Sequence, residues 1–559
     1  MSILGEFLKN IPWYAWVGIA ALIILMIVHS VMSTSPDASG EPDDRWRRDS
    51  QRWATPGDVQ DLVARNPLVI PVGYVVVGWM GCQPILCERN APVLVEAPTG
   101  GGKSSRVVVP DVLRWNGPAV VASVKGDVYA LTKAQREKMG TIFVFDPTGI
   151  SGHVSCRWSP LMGIVTYDQA DRMAATLVDT ANVGGLEDSS FWEGQGQNLV
   201  GPLLWCAILT RGTMGTVADW LGMADMDQRI ERILDSSIDQ ATSLLNHTSP
   251  PRGSQVEWNS AWDASEIFDG SQRARRDYYK FSSSVDRTRS SIVLTASYVM
   301  KAWGSAAMAA TTDVDAASNR PLLDIDNLLP KDTSGDDGVD KHATLYIVAP
   351  QSEQSIYRPV FETLINEILR RVEIKSQLLG GKPITPPLML CIDEAANVAV
   401  LRKLANIASK VRGEGVLLIT VWQDESQIIS IYGRDEARAI KANHLCQVYF
   451  TGRMQDDETL DTVSRMIGTD TVMSTSTSTP AAGSGGTPST TVSPRQEIVA
   501  PVWWLRQKLY DDEAVVLMSG RPPMLLEEPG WFEDDNLRAL IPAPVADEFD
   551  NAFAPVSIP

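Results

Sequence analysis

The stretch Ala97-Pro98-Thr99-Gly100-Gly101-Gly102-Lys103-Ser104-Ser105 has the residue types and spacing to grip a phosphate chain. Three glycines in a row let the backbone curl so that several N–H groups converge on phosphate oxygens. Lys103 and Ser104 then open a helix, whose N-terminus adds unpaired N–H groups and the positive end of a dipole. In this pattern the lysine reaches the β- and γ-phosphates of a nucleotide and the serine hydroxyl holds Mg²⁺, so ATP and Mg²⁺ are the expected ligands. Ala97 stands where the usual pattern has its first glycine. A chance Gly-Lys-Ser in a turn is the bland alternative; a strand at 93–95 and a helix after the loop argue against it.

A second anchor is Leu388-Met389-Leu390-Cys391-Ile392-Asp393-Glu394. A buried apolar strand that ends in two acids is costly unless the acids have work at the sheet's edge. Asp393 is expected to hold Mg²⁺ through water, and Glu394 to act as general base on the attacking water. Gln423 ends another apolar strand, 416–421. Its side-chain amide offers both a donor and an acceptor for a water near a γ-phosphate.

The elements that must carry these residues alternate. Strands are expected at 119–124 and 141–145 around a helix at 127–139, and Pro110 should kink the helix at 103–114. The pattern resumes with a strand at 343–348 and a helix at 361–372, whose apolar residues share one stripe. A helix at 435–442, a strand at 446–450, a helix capped by Asp456 or Asp457, and a β-rich piece at 514–526 complete it. A strand pair within 68–78 feeds the same sheet. Fully apolar, β-branched strands alternating with helices give an α/β fold with a mostly parallel sheet covered on both faces.

Between about 166 and 320 the spacing turns helical, which reads as an inserted all-α domain. It holds Arg273, Arg275, Arg276, Tyr278, Tyr279, Lys280, Phe281, Arg287 and Arg289, a basic run interleaved with aromatics that suits a nucleic-acid backbone and base stacking. Asp277 and Asp286 dilute it, and a solvated helix face with aromatics packed behind is the other reading. The formal net charge of −19 argues against a surface that coats nucleic acid as a whole, but leaves room for a local basic channel. The six scattered cysteines read as free thiols, not a zinc site.

Residues 11–32 carry no formal charge and, at about 1.5 Å per residue, would span the roughly 30 Å hydrocarbon core. Arg45, Arg47, Arg48 and Arg52 follow, so the bulk of the chain is expected in the cytoplasm. The organisation is then a single transmembrane anchor (1–33), a polar tether (34–60), the first part of the nucleotide-binding domain (61–165) and the all-α domain (166–320). The second part with the Asp-Glu strand (321–470), a flexible Ser/Thr/Gly-rich insertion (471–495), the end of the domain (496–540) and a disordered acidic, Pro-rich tail (541–559) follow.

The phosphate loop, Ser123-Val-Lys-Gly-Asp-Val-Tyr129, Phe145-Asp-Pro147, Trp158-Ser-Pro-Leu161, Ile392-Asp-Glu-Ala-Ala-Asn397, Gln423, Tyr432-Gly433 and the 511–525 piece together resemble the coupling ATPases of type IV secretion systems, the VirD4/TraG family. The resemblance implies a RecA-like P-loop ATPase that assembles as a hexamer, with ATP between subunits, an all-α domain for cargo and an N-terminal membrane anchor. It implies that the Gln423 strand lies between the loop strand and the Asp-Glu strand. It also implies an arginine acting across the subunit interface, placed at Arg412, with Arg402 and Arg453 competing for that role. The expected function is an inner-membrane ATPase that feeds DNA with its attached relaxase, or protein cargo, into a conjugation channel and contacts the channel subunits. An FtsK-like translocase of duplex DNA and a nucleotide-gated, non-motor cargo receptor are the alternatives. The chain departs from the family in having one membrane span instead of two, in Ala97, and in the 472–494 insertion.

Overall fold

The computed structural model describes residues 53–66, 69–181, 189–247, 262–314, 319–330, 342–348, 353–478 and 489–553. The expected anchor and most of the tether lie outside them. Among the described residues no helix is long and apolar enough to cross a membrane.

Thirteen strands are described: β1 (Val76–Met80), β2 (Gln83–Leu86), β3 (Val93–Glu96), β4 (Ala119–Ser123), β5 (Ile142–Phe145), β6 (Thr344–Val348), β7 (Leu388–Ile392), β8 (Val416–Trp422), β9 (Cys446–Tyr449), β10 (Thr469–Ser478), β11 (Ser489–Ile498), β12 (Glu513–Met518) and β13 (Met524–Glu527). Eleven form one sheet in the order β2-β1-β13-β12-β9-β3-β8-β7-β4-β6-β5. From β9 to β5 every pairing is parallel, and these strands are buried from end to end apart from one half-buried terminal residue. Their Val, Leu, Ile and Phe runs have no polar face because helices cover both sides. Four antiparallel strands extend the edge beyond β9. The expected strand pair falls at 76–86, after Pro71 and Gly73, because neither residue suits a ladder interior.

Buried residues of the helical segment run on into the hydrophobic core on one face of the sheet. Helices Tyr167–Thr180, Met226–Leu245, Ala264–Ser282 and Asp286–Met300 pack against helix Ser189–Leu209, whose Trp205 Nε1 donates to Ser271 Oγ at 3.1 Å. A Cβ on Gly270 would come within 3.0 Å of that indole, so close helix approach requires glycine there.

Two expectations are corrected. The described parts of the 471–495 insertion, expected to be flexible, lie in an antiparallel ribbon in which β10 pairs with β11 from Thr469↔Ile498 to Ser478↔Ser489; the expectation for 479–488 falls outside the described residues. Its Thr and Val residues are β-branched, which favours a ladder even where no core can form. The tail from 541, expected to be disordered, buries Ile541 in the core and continues as helix Ala543–Phe553, which buries Ala546 there. Pro542 and Pro544 sit at its start, where a missing N–H costs nothing.

Candidate functional site

The parallel order places the C-terminal ends of β3, β8, β7 and β4 side by side, and each ends in chemistry. β3 runs into the glycine loop, β8 into Gln423, β7 into Asp393-Glu394 and β4 into Ser123. The Gln423 strand lies between the loop strand and the Asp-Glu strand, as the resemblance implied.

The loop is held by its own backbone. Gly100 and Gly102 have φ of 77° and 82°, a region that side-chain-bearing residues avoid. A Cβ on Gly101 would meet Pro98 O at 2.9 Å. Ala97 is fully buried with no left-handed φ, and its N–H donates to Trp422 O at 3.0 Å, so nothing there demands glycine. Pro98 O accepts from Gly101 N at 2.9 Å, while Thr99 is exposed. Lys103–Val108 then form a wide π turn before the α-helix Val109–Arg114. Pro110 sits in the first turn of that helix, so it divides the expected 103–114 helix instead of kinking it. Ser105 Oγ donates to Gly102 O at 3.2 Å, closing the loop's last turn.

The acids meet the loop. Lys103 Nζ stands 3.7 Å from Glu394 Oε1. Ser104 Oγ donates to Asp393 Oδ2 at 3.0 Å, and Ser123 Oγ donates to the same oxygen at 3.2 Å. Asp393 Oδ1 is buried and has no hydrogen-bond partner among the described residues. Burial pushes the Asp393 carboxyl up to about 6, against the Ser104 hydrogen bond, with Asp127 and Glu394 adding like charge. A buried carboxylate oxygen left open beside a serine hydroxyl is the donor set of an Mg²⁺ site bound to a triphosphate, so these residues fit that ion. Glu394 adopts φ 58° and ψ 60°, a strained conformation for a residue with a side chain, and its Oε2 accepts from Asn397 Nδ2 at 3.1 Å. Gln423 is half-buried; its N–H donates to Gln427 Oε1 at 3.1 Å, and Asp424 beside it caps the helix Glu425–Tyr432.

Arg412 is not brought to this site. It lies in the last turn of helix Leu404–Glu414 at the opposite edge of the sheet, where it pairs with Glu88 at 3.0 Å. Arg402 lies 3.7 Å from Asp179. Arg453 follows β9 on the loop's own edge and pairs with Asp511. Sequence reasoning assigned no role to Ser123 or Asn397. Strand order alone reveals Ser123: pairing Ala122 with Ile392 sets it beside Asp393.

The basic run of the helical region divides. Tyr278 and Phe281 are buried, Arg273 pairs with Asp168 at 2.5 Å, and Arg289 pairs with Asp227. Lys280 pairs with Asp277 at 2.5 Å and Arg275 with Asp235 at 3.2 Å. Arg276, Tyr279 and Arg287 are exposed.

A family model described as Type IV secretory system Conjugative DNA transfer matches residues 53–550. Among curated relatives, a conjugal transfer protein TraG of Escherichia coli is 26% identical over 545 residues, covering 89% of this chain and 78% of that one. Protein VirD4 of Rhizobium radiobacter is 23% identical over 501 residues, covering 88% of this chain and 64% of its own. Among solved structures, the bacterial conjugative coupling protein TrwBdeltaN70 in an unbound form superimposes with a TM-score of 0.57 at 16% identity, covering 85% of this chain and 92% of that one. The plasmid coupling protein TrwB in complex with ADP and Mg²⁺ gives 0.53 at 17%, covering 79% and 85%.

Proposed function

The chain belongs to the type IV secretory conjugative DNA transfer family, and on that premise we propose that it is a coupling ATPase that hydrolyses ATP to drive DNA with bound relaxase, or protein cargo, into a secretion channel. The observation that carries the reading is the meeting of Lys103, Ser104, Asp393 and Glu394 at one sheet edge. The relatives named for conjugal transfer and the TrwB complex with ADP and Mg²⁺ support it.

Lys103 and the glycine-loop amides bind the phosphates. Lys103 leaves Glu394 for the γ-phosphate, and the freed carboxylate takes the proton of the attacking water. Gln423 orients that water through its amide. Ser104, and Asp393 through water, would hold Mg²⁺, which when bound neutralises charge on the phosphate oxygens. An arginine from a neighbouring copy completes the charge, which makes a homo-oligomer, expected as a hexamer, the working unit. The 11–32 segment anchors it in the inner membrane as a single pass with the ATPase in the cytoplasm.

The test is phosphate release by the full-length chain with and without DNA. Turnover that rises with DNA and vanishes in Lys103→Ala supports the motor. Nucleotide binding with no turnover under any DNA condition would leave only a nucleotide-gated receptor.

A further inference from the structure

Directly behind the phosphate loop lies a cluster of buried charge that the chemistry above does not use. Glu96, the residue before Ala97, is fully buried at the end of β3. Lys441 Nζ, on helix Arg434–Asn443, stands 3.3 Å from Glu96 Oε1 and 2.8 Å from Glu425 Oε2. Glu425 lies two residues after Gln423 and opens helix Glu425–Tyr432. Thr459 Oγ1, in the first turn of helix Asp457–Ile467, accepts the Glu425 N–H at 2.8 Å. The same hydroxyl lies 3.3 Å from Glu96 Oε2 and 2.7 Å from Asp456 Oδ2. Glu96, Lys441, Glu425 and Thr459 are all at most 8% exposed.

One buried ammonium thus serves two buried carboxylates. Such a group is a poor source of stability, because desolvation offsets most of its attraction, and well-packed apolar residues do as well. Its geometry has another consequence. Backbone pairing already fixes β3 against β8 and β9, but it does not reach the helices outside the sheet. The charge cluster does: it fastens three successive helices to the root of the phosphate loop. Between β9 and the last of them runs the segment with Arg453, and after it come β10 and β11.

We propose that Glu96 and Lys441 are positioning residues that tie the phosphate loop and the Gln423 tip to helices 425–432, 434–443 and 457–467, so that nucleotide occupancy reaches the Arg453 segment. The inference rests on the phosphate-loop reading. Neither residue touches nucleotide; both act through what they hold. Burial with a second carboxylate nearby raises Glu96 to about 7, consistent with a carboxylate that depends on Lys441 for its charge.

The test is amide hydrogen exchange on the full-length chain with and without a non-hydrolysable ATP analogue and Mg²⁺, paired with steady-state kinetics. Glu96→Gln is chosen because Lys441 then balances Glu425 alone and no buried charge is left over. The analogue should slow exchange in the native chain at 97–105 and also at 425–467. In Glu96→Gln the loop should stay protected while protection at 425–467 is lost. Its kcat should fall by about 10- to 100-fold, the scale of a small misplacement of reacting groups, with nucleotide Kd changed less than about threefold. Thr459→Val should give the same pattern. Equal protection of 425–467 in native and variant chains, or unchanged kcat, would overturn the inference. Absence of protection at 97–105 in the native chain would instead overturn the phosphate-loop reading beneath it.

Discussion

Lys103 Nζ lies 3.7 Å from Glu394 Oε1, an ion pair that joins the phosphate loop to the tip of β7. The pair satisfies both charges in a site where each is mostly buried. Binding must exchange the carboxylate for a γ-phosphate at Lys103. Glu394→Gln removes both the competitor and the base. The variant should bind ATP at least as tightly as the native chain, with turnover lowered by about 10²–10⁴-fold, the usual contribution of a general base. Equilibrium nucleotide binding and phosphate release read the two effects separately. Turnover within tenfold of native would remove Glu394 from the chemistry.

Asp393 offers one oxygen to Ser104 and Ser123 and keeps the other, Oδ1, buried and open. Asparagine keeps the shape and removes the charge. The Mg²⁺ concentration needed for half-maximal turnover should rise by about 10- to 100-fold in Asp393→Asn, as for other residues that orient a metal's surroundings. Ser123→Ala should shift it in the same direction by less. A magnesium titration of activity at saturating ATP decides it.

The legible part of this site was whatever lies on a strand tip. Asp393, Glu394 and Gln423 each end an apolar run that reads as a buried strand, so a parallel sheet puts them on one edge, and the resemblance supplies the order of the strands. Lys441 was not legible. It sits in Arg434-Asp-Glu-Ala-Arg-Ala-Ile-Lys441, where the charges read as a solvated helix face, and only the tertiary fold shows that Lys441 points inward to Glu96. Arg412 shows a related limit: a motif position gives order along the chain, while the helix returning from β7 to β8 carries Arg412, in its last turn, to the sheet edge away from its own chain's loop, and what it meets on a neighbouring copy is a matter for experiment. The ribbon formed by β10 and β11 is not legible because a Ser- and Thr-rich stretch carries no core signal, whereas a two-stranded ladder needs no core.

Two buried groups should give opposite pH dependences of stability. Burial holds the His444 imidazole down at about 4, with Nδ1 donating to Ile440 O. The unfolded chain takes up that proton near pH 6.5, so stability is lost as pH falls from about 6.5 to 4. Glu96 is raised from 4.5 to about 7, so the folded chain keeps a proton that the unfolded chain has released. Its contribution is therefore full below pH 4.5 and lost as pH rises through 7. Urea midpoints between pH 4 and 8 should show His444→Gln gaining on the native chain toward acid. Glu96→Gln should gain on it toward neutral pH.

Arg276, Tyr279 and Arg287 are the members of the basic-aromatic run that face solvent without a described acidic partner, whereas Arg289 pairs with Asp227 beside the buried Tyr278. If this face meets DNA, Arg276→Ala and Arg287→Ala should weaken binding of any sequence and each reduce the salt slope of log K by about 1. Tyr279→Ala should weaken single-stranded DNA by about 1–3 kcal/mol and duplex DNA far less. Arg289→Ala should lower the thermal midpoint instead. Fluorescence anisotropy at several salt concentrations, with melting curves alongside, separates the two groups.

The arginine that acts across the subunit interface can be found by mixing inactive chains. A Lys103→Ala subunit has a dead phosphate loop but intact arginines. A subunit lacking the trans arginine has a sound loop with nothing to complete it from next door. Mixed assemblies place some sound loops beside intact arginines, so activity returns only when the missing group acts between chains. Arg453 stands on the sheet edge of the phosphate loop, on a segment joined through helix Asp457–Ile467 to the Glu96 cluster. Arg412 stands at the opposite edge, engaged by Glu88. Arg453→Ala should therefore abolish turnover alone, with a loss of about 10³-fold or more as for other trans arginines, and regain part of it on mixing with Lys103→Ala. Arg412→Ala should retain turnover on its own. Rescue seen with Arg412→Ala and not with Arg453→Ala would return the role to the position that the chain order first suggested.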